Sequence, residues 1–457
     1  MKGYDPFVPD AGLDAEPVFD APPPRPRGAN IEGMRKALMR SNTRLLLSAV
    51  MIFQFTAMLL ISLQEKPVDT QALILAVALP AVTWLVVMAF GRLWPIDRAM
   101  LILALLLCSV GIITLSDIAR SKETPLTQAI YALIGIAAMA VGIVFIRSVR
   151  RWKRWILPGM ALCLCALASP WVFGSVQNGA RNWITIIPNR LTIQPSEFIK
   201  PALILILAAA LAGRPRFVKC LPAIGFAAVC CGILLIQSDL GAVLLYFLTT
   251  LILYFAATSN WLITLGGLGV GVAGSVLAYK LVPYVQTRVA IWQNPWSDPT
   301  DSGAQIVQAL IAIGSGGLFG MGLGLGRPRN IPLYHSDFIF AAIAEEFGLI
   351  FSICLLAVYV LIIMRGLVVA MNARTSFHSL TAFGIVAMLG LQTMLIVGGN
   401  TKLIPLTGVT LPLVSSGGSS LVSTFLSFGI LLGISSMNAE DEARDIDRLE
   451  LREEAAL

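Results

Sequence analysis

The sequence predicts an all-α polytopic membrane protein, and three observations carry that prediction. Hydrophobic residues make up 57% of the 457 positions and charged residues only 13%, whereas a soluble domain carries about 25% charged residues. Apolar runs long enough to cross a hydrocarbon core of about 30 Å recur from Leu45 to Met437. No short apolar segment with a cleavage site precedes the first run, so we expect the first helix to be retained.

Hydropathy divides the apolar part of the chain into twelve expected spans. They lie near residues 45–63, 71–91, 97–116, 126–146, 155–173, 196–212, 220–236, 240–257, 261–282, 337–364, 380–399 and 417–436.

The placement of Lys and Arg predicts the orientation of the bundle. Residues 1–44 are expected to form a disordered cytoplasmic tail that ends in a basic collar, and the loop 147–154 carries a second basic cluster. Both clusters favour a cytoplasmic N-terminus, and an even number of spans returns the tail 438–457 to the same side. Loops 174–195, 283–336 and 398–416 then lie outside the cell. The net charge of +7 falls mostly in short loops, so it does not indicate nucleic-acid binding.

The cysteines do not indicate a metal centre or a disulfide framework. Seven are present, and nearly all lie inside apolar runs, which is typical of small core residues. No Cys and His spacing matches a zinc site, and we expect no structural metal.

The large polar loop contains a candidate general base. Asp298 lies in a Pro-bounded turn, Asn294 to Pro299. A carboxylate there would serve as a base if burial raised its pKa. From local chemistry alone the better interpretation is an Asx-type turn before Pro299, and Asp301 competes in the same turn.

The next segment, from Gln305 to Phe319, is apolar and too short to span. It predicts a helix that lies at the interface or packs against the bundle. Gln305 and Gln308 share one face at i, i+3 spacing. The glycines between Gly314 and Gly326 would let backbone approach a ligand closely, although such runs also serve as simple hinges.

Several charged side chains fall in or beside apolar runs. Asp337, Glu345 and Glu346 follow His335, and ionisable groups at such depth are candidates for function, with pairing to a structural cation as the alternative. Glu197 and Lys200 stand at i, i+3 after Pro195, with Ser196 as an expected cap. They form either a local ion pair or a held cation near a phosphate.

Other candidates are cationic or rich in small residues. The expected outer loops carry Arg181, Arg190, Arg288, Arg327 and Arg329, which suit either phosphate recognition or snorkelling to headgroups. Lys402 is a further cation. The run from Ser415 to Ser420, including Ser419 and Ser420, predicts either a helix-packing face or an anion site at a helix start.

Seven ordered motifs resemble the SEDS family of bacterial wall synthesis, the RodA, FtsW and SpoVE proteins. The matching stretches are Asn178 to Ile184, Gln194 to Lys200, Gln237 to Gly241, Asp298-Pro299, Gln305 to Gly317, His335 to Gly348 and Pro405 to Ser420. The sequence departs from the usual family tyrosine at Ala304 and Ser416, both beside expected substrate contacts.

The resemblance implies a ten-span core over 97–437, preceded here by two additional spans in 45–96. It implies a peptidoglycan glycosyltransferase that acts on lipid II in the bacterial cytoplasmic membrane, with Asp298 as the essential carboxylate. Substrate contacts are then expected from Arg181, Glu197, Lys200, Gln305, Gln308, His335, Asp337, Lys402, Ser419 and Ser420. The implied partner is a class B penicillin-binding protein within an elongation or division complex. A divalent cation, Mg or Mn, would suit the phosphate oxygens.

Three other functions stay open at this point. A lipid II flippase would need a polar path, for which Glu345, Glu346 and Asp239 are the candidates. A scaffold that activates the penicillin-binding protein is compatible with catalysis. A secondary transporter is weakly opposed, since no inverted repeat is evident.

Overall fold

The computed structural model describes residues 43–64, 68–118, 123–149, 152–177, 180–187, 191–213, 215–299 and 303–454. The expected N-terminal tail and Asp301 lie outside these residues. The longer helices within them are α1 Thr43–Gln64, α2 Thr70–Leu93, α3 Arg98–Ile118, α4 Glu123–Ser148, α5 Trp152–Ala168, α6 Pro195–Leu211, α7 Phe217–Ile236, α8 Leu240–Thr258, α9 Trp261–Leu281, α10 Pro283–Gln293, α11 Ala304–Gly316, α12 Ile339–Asn372, α13 Ser376–Asn400 and α14 Gly418–Glu454.

The helical membrane fold is confirmed. Eleven helices in the described part of the chain are long and apolar enough to cross a membrane. The remaining expected span, 196–212, corresponds to α6, which has 17 residues and packs against α5, α8, α13 and α14. Its Leu203 and Leu207 are fully buried, so α6 lies at the centre of the bundle.

Local signals in the sequence set several helix starts. Asp69, Asp239, Asn260 and Thr375 each accept a backbone N–H of the following turn and so cap α2, α8, α9 and α13. The expected Ser196 cap is wrong, because α6 begins one residue earlier, with Pro195 at its first position. Ser196 Oγ is buried and has no hydrogen-bond partner among the described residues.

One expected loop is a small sheet. Between Gly174 and Ile193, the described residues form three antiparallel strands, β1 Gly174–Gln177, β2 Ala180–Ile187 and β3 Leu191–Ile193, with β2 in the middle. Gly174 pairs with Ile184, and Ile184 with Ile193. The sheet leads directly into α6, so it fixes the entry to the helix that carries Glu197 and Lys200.

The sheet, α10, α11 and the segment 317–338 lie at one end of the bundle, which we call the loop side. The opposite end, the tail side, carries the C-terminal part of α14. Of the segment 438–457, expected to be a short surface helix or tail, residues 438–454 continue α14 as helix to Glu454. Arg147 pairs with Glu440 at 2.8 Å and Arg374 with Asp445 at 2.6 Å, so ion pairs hold this extension against the bundle.

The predicted short helix in the large loop is α11, and it packs against the bundle. Its Ile306, Ala309 and Ala312 form a small separate core with Ile331 and Phe338. This core links α11 to the start of α12 and therefore to the segment around His335 that the sequence singled out.

Helix α12 has a non-helical residue inside it. Gly348 has φ +85°, a conformation that favours glycine. A Cβ there would overlap the backbone N of Gly320. The glycine-rich loop 317–327 lies against this point, since Leu349 N donates to the carbonyl of Gly317 at 3.0 Å.

Candidate functional site

A buried polar cluster joins α6, α13 and α14 near the loop side. The Lys200 ammonium donates to both carboxylate oxygens of Glu197, at 2.7 and 2.8 Å, and contacts Gln392 Oε1 at 3.4 Å. Glu197 is 8% exposed and Lys200 6%. Because an ammonium inside an apolar bundle is costly to dehydrate, its retention beside one carboxylate marks this cluster as a candidate site.

The cluster is held by hydrogen bonds from neighbouring elements. Gln392 Nε2 donates to the carbonyl of Thr410 at 2.9 Å, and the hydroxyls of Thr410 and Ser420 lie 2.7 Å apart. Ser423 Oγ donates to the carbonyl of Glu197 at 2.6 Å. The ion pair is therefore fixed by α13, α14 and the segment between them.

Asp239 extends the cluster to the turn before α8. Its carboxylate accepts from Asn182 of β2 at 3.2 Å and from Gln194 at 3.1 Å. Burial raises the pKa of Asp239, while hydrogen bonds from the Ala242 N–H and from Asn182 lower it. Glu197 and Lys200 are close enough to act on it electrostatically, so three charged groups share one environment.

A cavity opens from this cluster into the bundle. Lys200, Gln392 and Ser423 line its polar part, and Ile204, Leu389 and Phe428 are among its apolar walls. The cavity thus places a cation beside apolar walls, a combination that suits the headgroup end of an amphiphile.

Asp337 and Arg288 form a second polar group on the loop side. A Cβ built at Gly408 would lie 3.7 Å from Asp337 Oδ2 and 4.0 Å from both Arg288 Nη atoms, so both side chains face the same backbone. Burial raises the pKa of Asp337 to about 6, and the Ser336 hydroxyl and Arg288 lower it. Asp239 acts on Asp337 electrostatically, so the two polar groups are neighbours.

His335 lies beside this second group. Burial lowers the pKa of its imidazole, and its carbonyl accepts from Ser416 N at 2.8 Å. Position 416, where the chain departs from the usual tyrosine, therefore contacts the motif through its backbone.

Asn400 is a site residue that the sequence did not single out. It is fully buried, and its Nδ2 donates to the carbonyl of Asp337 at 2.8 Å while its Oδ1 accepts from Ala341 N at 3.2 Å. Asn400 thereby ties the end of α13 to the start of α12. A polar residue at the end of an apolar run was the available signal.

Glu345 and Glu346 have different partners. Glu345 Oε1 accepts from Arg327 N at 2.9 Å, whereas Glu346 interacts with Asp117 of α3. At Glu345 the structural cation that the sequence offered as the alternative to a functional role is replaced by a backbone N–H. Both glutamates lie beneath the glycine-rich loop and not in the Lys200 cluster.

The remaining predicted residues lie elsewhere on the loop side. Asp298 is half-buried in the turn after α10, where its carbonyl accepts from Gly303 N at 2.9 Å. Helix α10 is anchored by Trp292, which donates to the carbonyl of Lys402 at 3.1 Å, and by Arg288, which donates to the carbonyl of Leu406. Gln305 and Gln308 are half-buried on α11.

The structure gives a separate result for three of the predicted substrate contacts, Ser419, Ser420 and Arg181. Ser419 Oγ accepts from Gln194 N at 3.1 Å, and Ser420 bonds Thr410, so both hydroxyls cross-link protein elements. The backbone of Arg181 lies in β2, and its side chain is outside what the structure describes. In the part of the chain that is described, no three His, Cys, Asp or Glu side chains are placed to hold a metal ion, and we assign no step to one.

Comparison with known proteins accounts for most of the chain. A family model described as a cell cycle protein, of FtsW, RodA and SpoVE, matches residues 92–440. The peptidoglycan glycosyltransferase RodA of Mycobacterium tuberculosis is 37% identical over 328 residues, covering 67% of this chain and 69% of that protein. Stage V sporulation protein E of Bacillus subtilis is 35% identical over 362 residues, covering 74% and 96%.

Solved structures have the same fold. A chain from a peptidoglycan synthase complex, described as coordinating polymerization and crosslinking, is 29% identical with a TM-score of 0.64 and covers 75% of this chain and 98% of its own. The rod shape determining protein RodA of Thermus thermophilus is 27% identical with a TM-score of 0.56, covering 74% and 96%. An aspartate-to-alanine variant of that protein has also been solved.

Proposed function

Because the chain belongs to the FtsW/RodA/SpoVE family, we propose that it is a peptidoglycan glycosyltransferase that polymerises lipid II. The donor is a glycan chain on undecaprenyl pyrophosphate, and the acceptor is the sugar 4-hydroxyl of lipid II. The observation that carries this proposal is the buried Lys200 ammonium in the lining of a cavity whose other walls are mostly apolar. A lipid-linked pyrophosphate has the matching chemistry, an anionic headgroup on an apolar chain.

The loop side is the outer face of the bacterial cytoplasmic membrane in this proposal. The basic collar before α1 and the basic loop 147–154 favour a cytoplasmic tail side, and both termini then lie in the cytoplasm. The Asp298 turn, His335 and the Lys200 cluster then lie toward the end of the bundle that faces the compartment in which the glycan is assembled.

Asp298 is the general base of the proposed reaction. It removes the proton from the acceptor 4-hydroxyl as that oxygen attacks the anomeric carbon of the donor. The bond to the lipid pyrophosphate breaks, the pyrophosphate leaves with its lipid, and the anomeric centre inverts. A carboxylate base of this kind contributes about 10²- to 10⁴-fold to the rate.

Cationic groups stabilise the leaving pyrophosphate. Lys200 is fixed by Glu197 and Gln392, so its charge needs no reorganisation as the leaving group develops, the kind of electrostatic stabilisation that dominates many enzymes. Arg181 and Lys402 are further cations for the phosphates. The sugars are contacted by Gln305, Gln308, His335 and Asp337. Ser419 and Ser420 hold the neighbouring backbone in place, because Ser419 bonds Gln194 at the end of the sheet and Ser420 bonds Thr410.

The partner is a class B penicillin-binding protein, the transpeptidase of an elongation or division complex. The similarity to a chain of a peptidoglycan synthase complex supports this assignment. A flippase is not favoured, since Glu345 and Glu346 lie under the glycine-rich loop while Asp239 belongs to the Lys200 cluster. The three carboxylates do not line one path.

The test is incubation of the purified protein, with and without its transpeptidase, on labelled lipid II, followed by separation of the products by glycan length. We expect polymer from the parent and none from Asp298→Ala, with the two proteins unfolding at the same temperature. Full activity of Asp298→Ala would remove this residue from the mechanism. Absence of polymer from the parent with its partner present would overturn the proposed function.

A further inference from the structure

Helix α1 lies outside the residues that the family model matches, yet it contacts the glycine-rich loop 317–327. Gln64 is the last residue of α1. Its Nε2 donates to the carbonyl of Leu323 at 2.7 Å, across 259 positions of sequence. The matched region begins at residue 92, so this bond joins the additional helices to the large loop of the family core.

The same loop is held from the core by two further elements. On α12, the carbonyls of Glu345 and Glu346 accept from Met321 N at 2.8 Å and Gly322 N at 3.0 Å. On α3, the Asp117 carboxylate accepts from Gly324 N at 2.9 Å. Gln64 therefore holds the loop from a third helix, at Leu323, between the bonds made at Gly322 and at Gly324.

Gly324 is the loop residue that packs against the Gln64 and Asp117 side chains. It has φ +71°, and a Cβ there would lie 2.6 Å from Gln64 Oε1 and 3.2 Å from Asp117 Oδ1. The loop backbone thus packs directly against both side chains, which leaves no space for a side chain at this position. The side chains of Gln64 and Asp117 therefore form a specific packing surface for the loop backbone.

The glycine-rich loop connects two parts of the candidate site, so its position affects the residues at each of its ends. It follows α11, which carries Gln305 and Gln308, and it covers Glu345 and Glu346 before the chain reaches His335 and Asp337. Displacement of reacting groups by about 1 Å can cost on the order of 10²-fold in rate. A loop held by three anchors keeps α11 and the start of α12 in a fixed relation.

We propose that Gln64 is a positioning residue of the polymerase and that α1 serves as an additional anchor for the glycine-rich loop. The inference rests on the proposed function for its effect on rate. Gln64 touches no reacting atom and acts through the backbone of Leu323 and Gly324. The additional helices are then part of the catalytic assembly and not only a membrane anchor.

The test compares Gln64→Ala with Thr56→Ala in the full chain. Thr56 is an exposed residue of the same helix, and among the described residues its hydroxyl bonds only its own helix, at the carbonyls of Ile52 and Phe53. We expect kcat for lipid II polymerisation to fall about tenfold in Gln64→Ala, with KM within about twofold because Lys200 and its neighbours are untouched. Thr56→Ala should match the parent in both constants.

A second readout does not depend on activity. Arg329 follows the loop and is a cleavage site for trypsin; its Nε donates to the carbonyl of Ile118 at 2.9 Å. We expect limited trypsinolysis at Arg329 to be several-fold faster in Gln64→Ala than in the parent or Thr56→Ala. Parent-like cleavage and an unchanged kcat would overturn the inference. If the parent makes no polymer while Gln64→Ala is cleaved faster, the result contradicts the proposed function but supports the role of Gln64 as an anchor of the loop.

Discussion

The Lys200 ammonium binds both oxygens of the Glu197 carboxylate, with Nζ 2.7 and 2.8 Å from them. The pair sits one helical turn apart on α6, in the centre of the bundle. Almost no water reaches either side chain, so each charge depends on the other and on Gln392.

Removal of Lys200 should therefore destabilise the protein as well as inactivate it. Lys200→Met leaves the Glu197 carboxylate buried and unpaired, which costs about 3–5 kcal/mol. The free energy of unfolding in detergent, measured with denaturant, checks the stability, and the lipid II assay checks activity.

A double variant separates the two effects. Glu197→Met combined with Lys200→Met removes both charges, so most of the stability should return while polymerisation stays lost. The matched control is Arg374→Gln, because the pair of Arg374 with Asp445 is exposed and is worth less than about 1 kcal/mol. An active double variant would show that the Lys200 charge has no role in the reaction.

The spacing of Glu197 and Lys200 was enough to predict their pairing, since i, i+3 neighbours on a helix lie side by side. The spans were predictable for a similar reason, because hydropathy is a local property of the chain. The sheet 174–193 was missed, although Asn178-Gly179 is a strong hairpin signal. The apolar character of the surrounding helices gave no reason to expect strands there.

The contacts that assemble the site are not local, and sequence alone did not predict them. Arg288 reaches the carbonyl of Leu406 across 118 positions, and Asn400 reaches that of Asp337 across 63. Each is a side chain bonded to a backbone carbonyl, and carbonyls are present at every position. No residue type at the accepting end could have indicated the pairing.

Asp337 should make stability depend on pH in the acidic range. Burial raises its pKa from 3.8 in the unfolded chain to about 6 in the folded protein. The folded state then binds more protons between these values, so the contribution of Asp337 to stability is full below about pH 4 and is lost as pH rises through about 6.

Asp337→Asn tests this dependence, because asparagine stays neutral throughout. Melting temperatures of the parent and the variant are compared in detergent from pH 4 to pH 7. We expect the difference, variant minus parent, to rise with pH, since only the parent must ionise a buried carboxyl. A difference that stays constant across the range would mean that Asp337 titrates normally. Arg288→Met should move the transition to higher pH, because Arg288 lowers the pKa of Asp337.

Gly348 should be intolerant of even one added carbon. Its φ of +85° disfavours any L side chain, and a Cβ would overlap the backbone of Gly320 and Phe319. Gly348→Ala combines backbone strain of about 1–3 kcal/mol with displacement of the glycine-rich loop, so we expect a lower melting temperature and faster cleavage by trypsin at Arg329. Gly266→Ala is the matched control, because Gly266 lies within helix α9 and a Cβ added there would meet no described atom within 4 Å; it should be neutral or stabilise by up to about 1 kcal/mol. Equal stability of the two variants would show that the loop does not pack against α12 at Gly348.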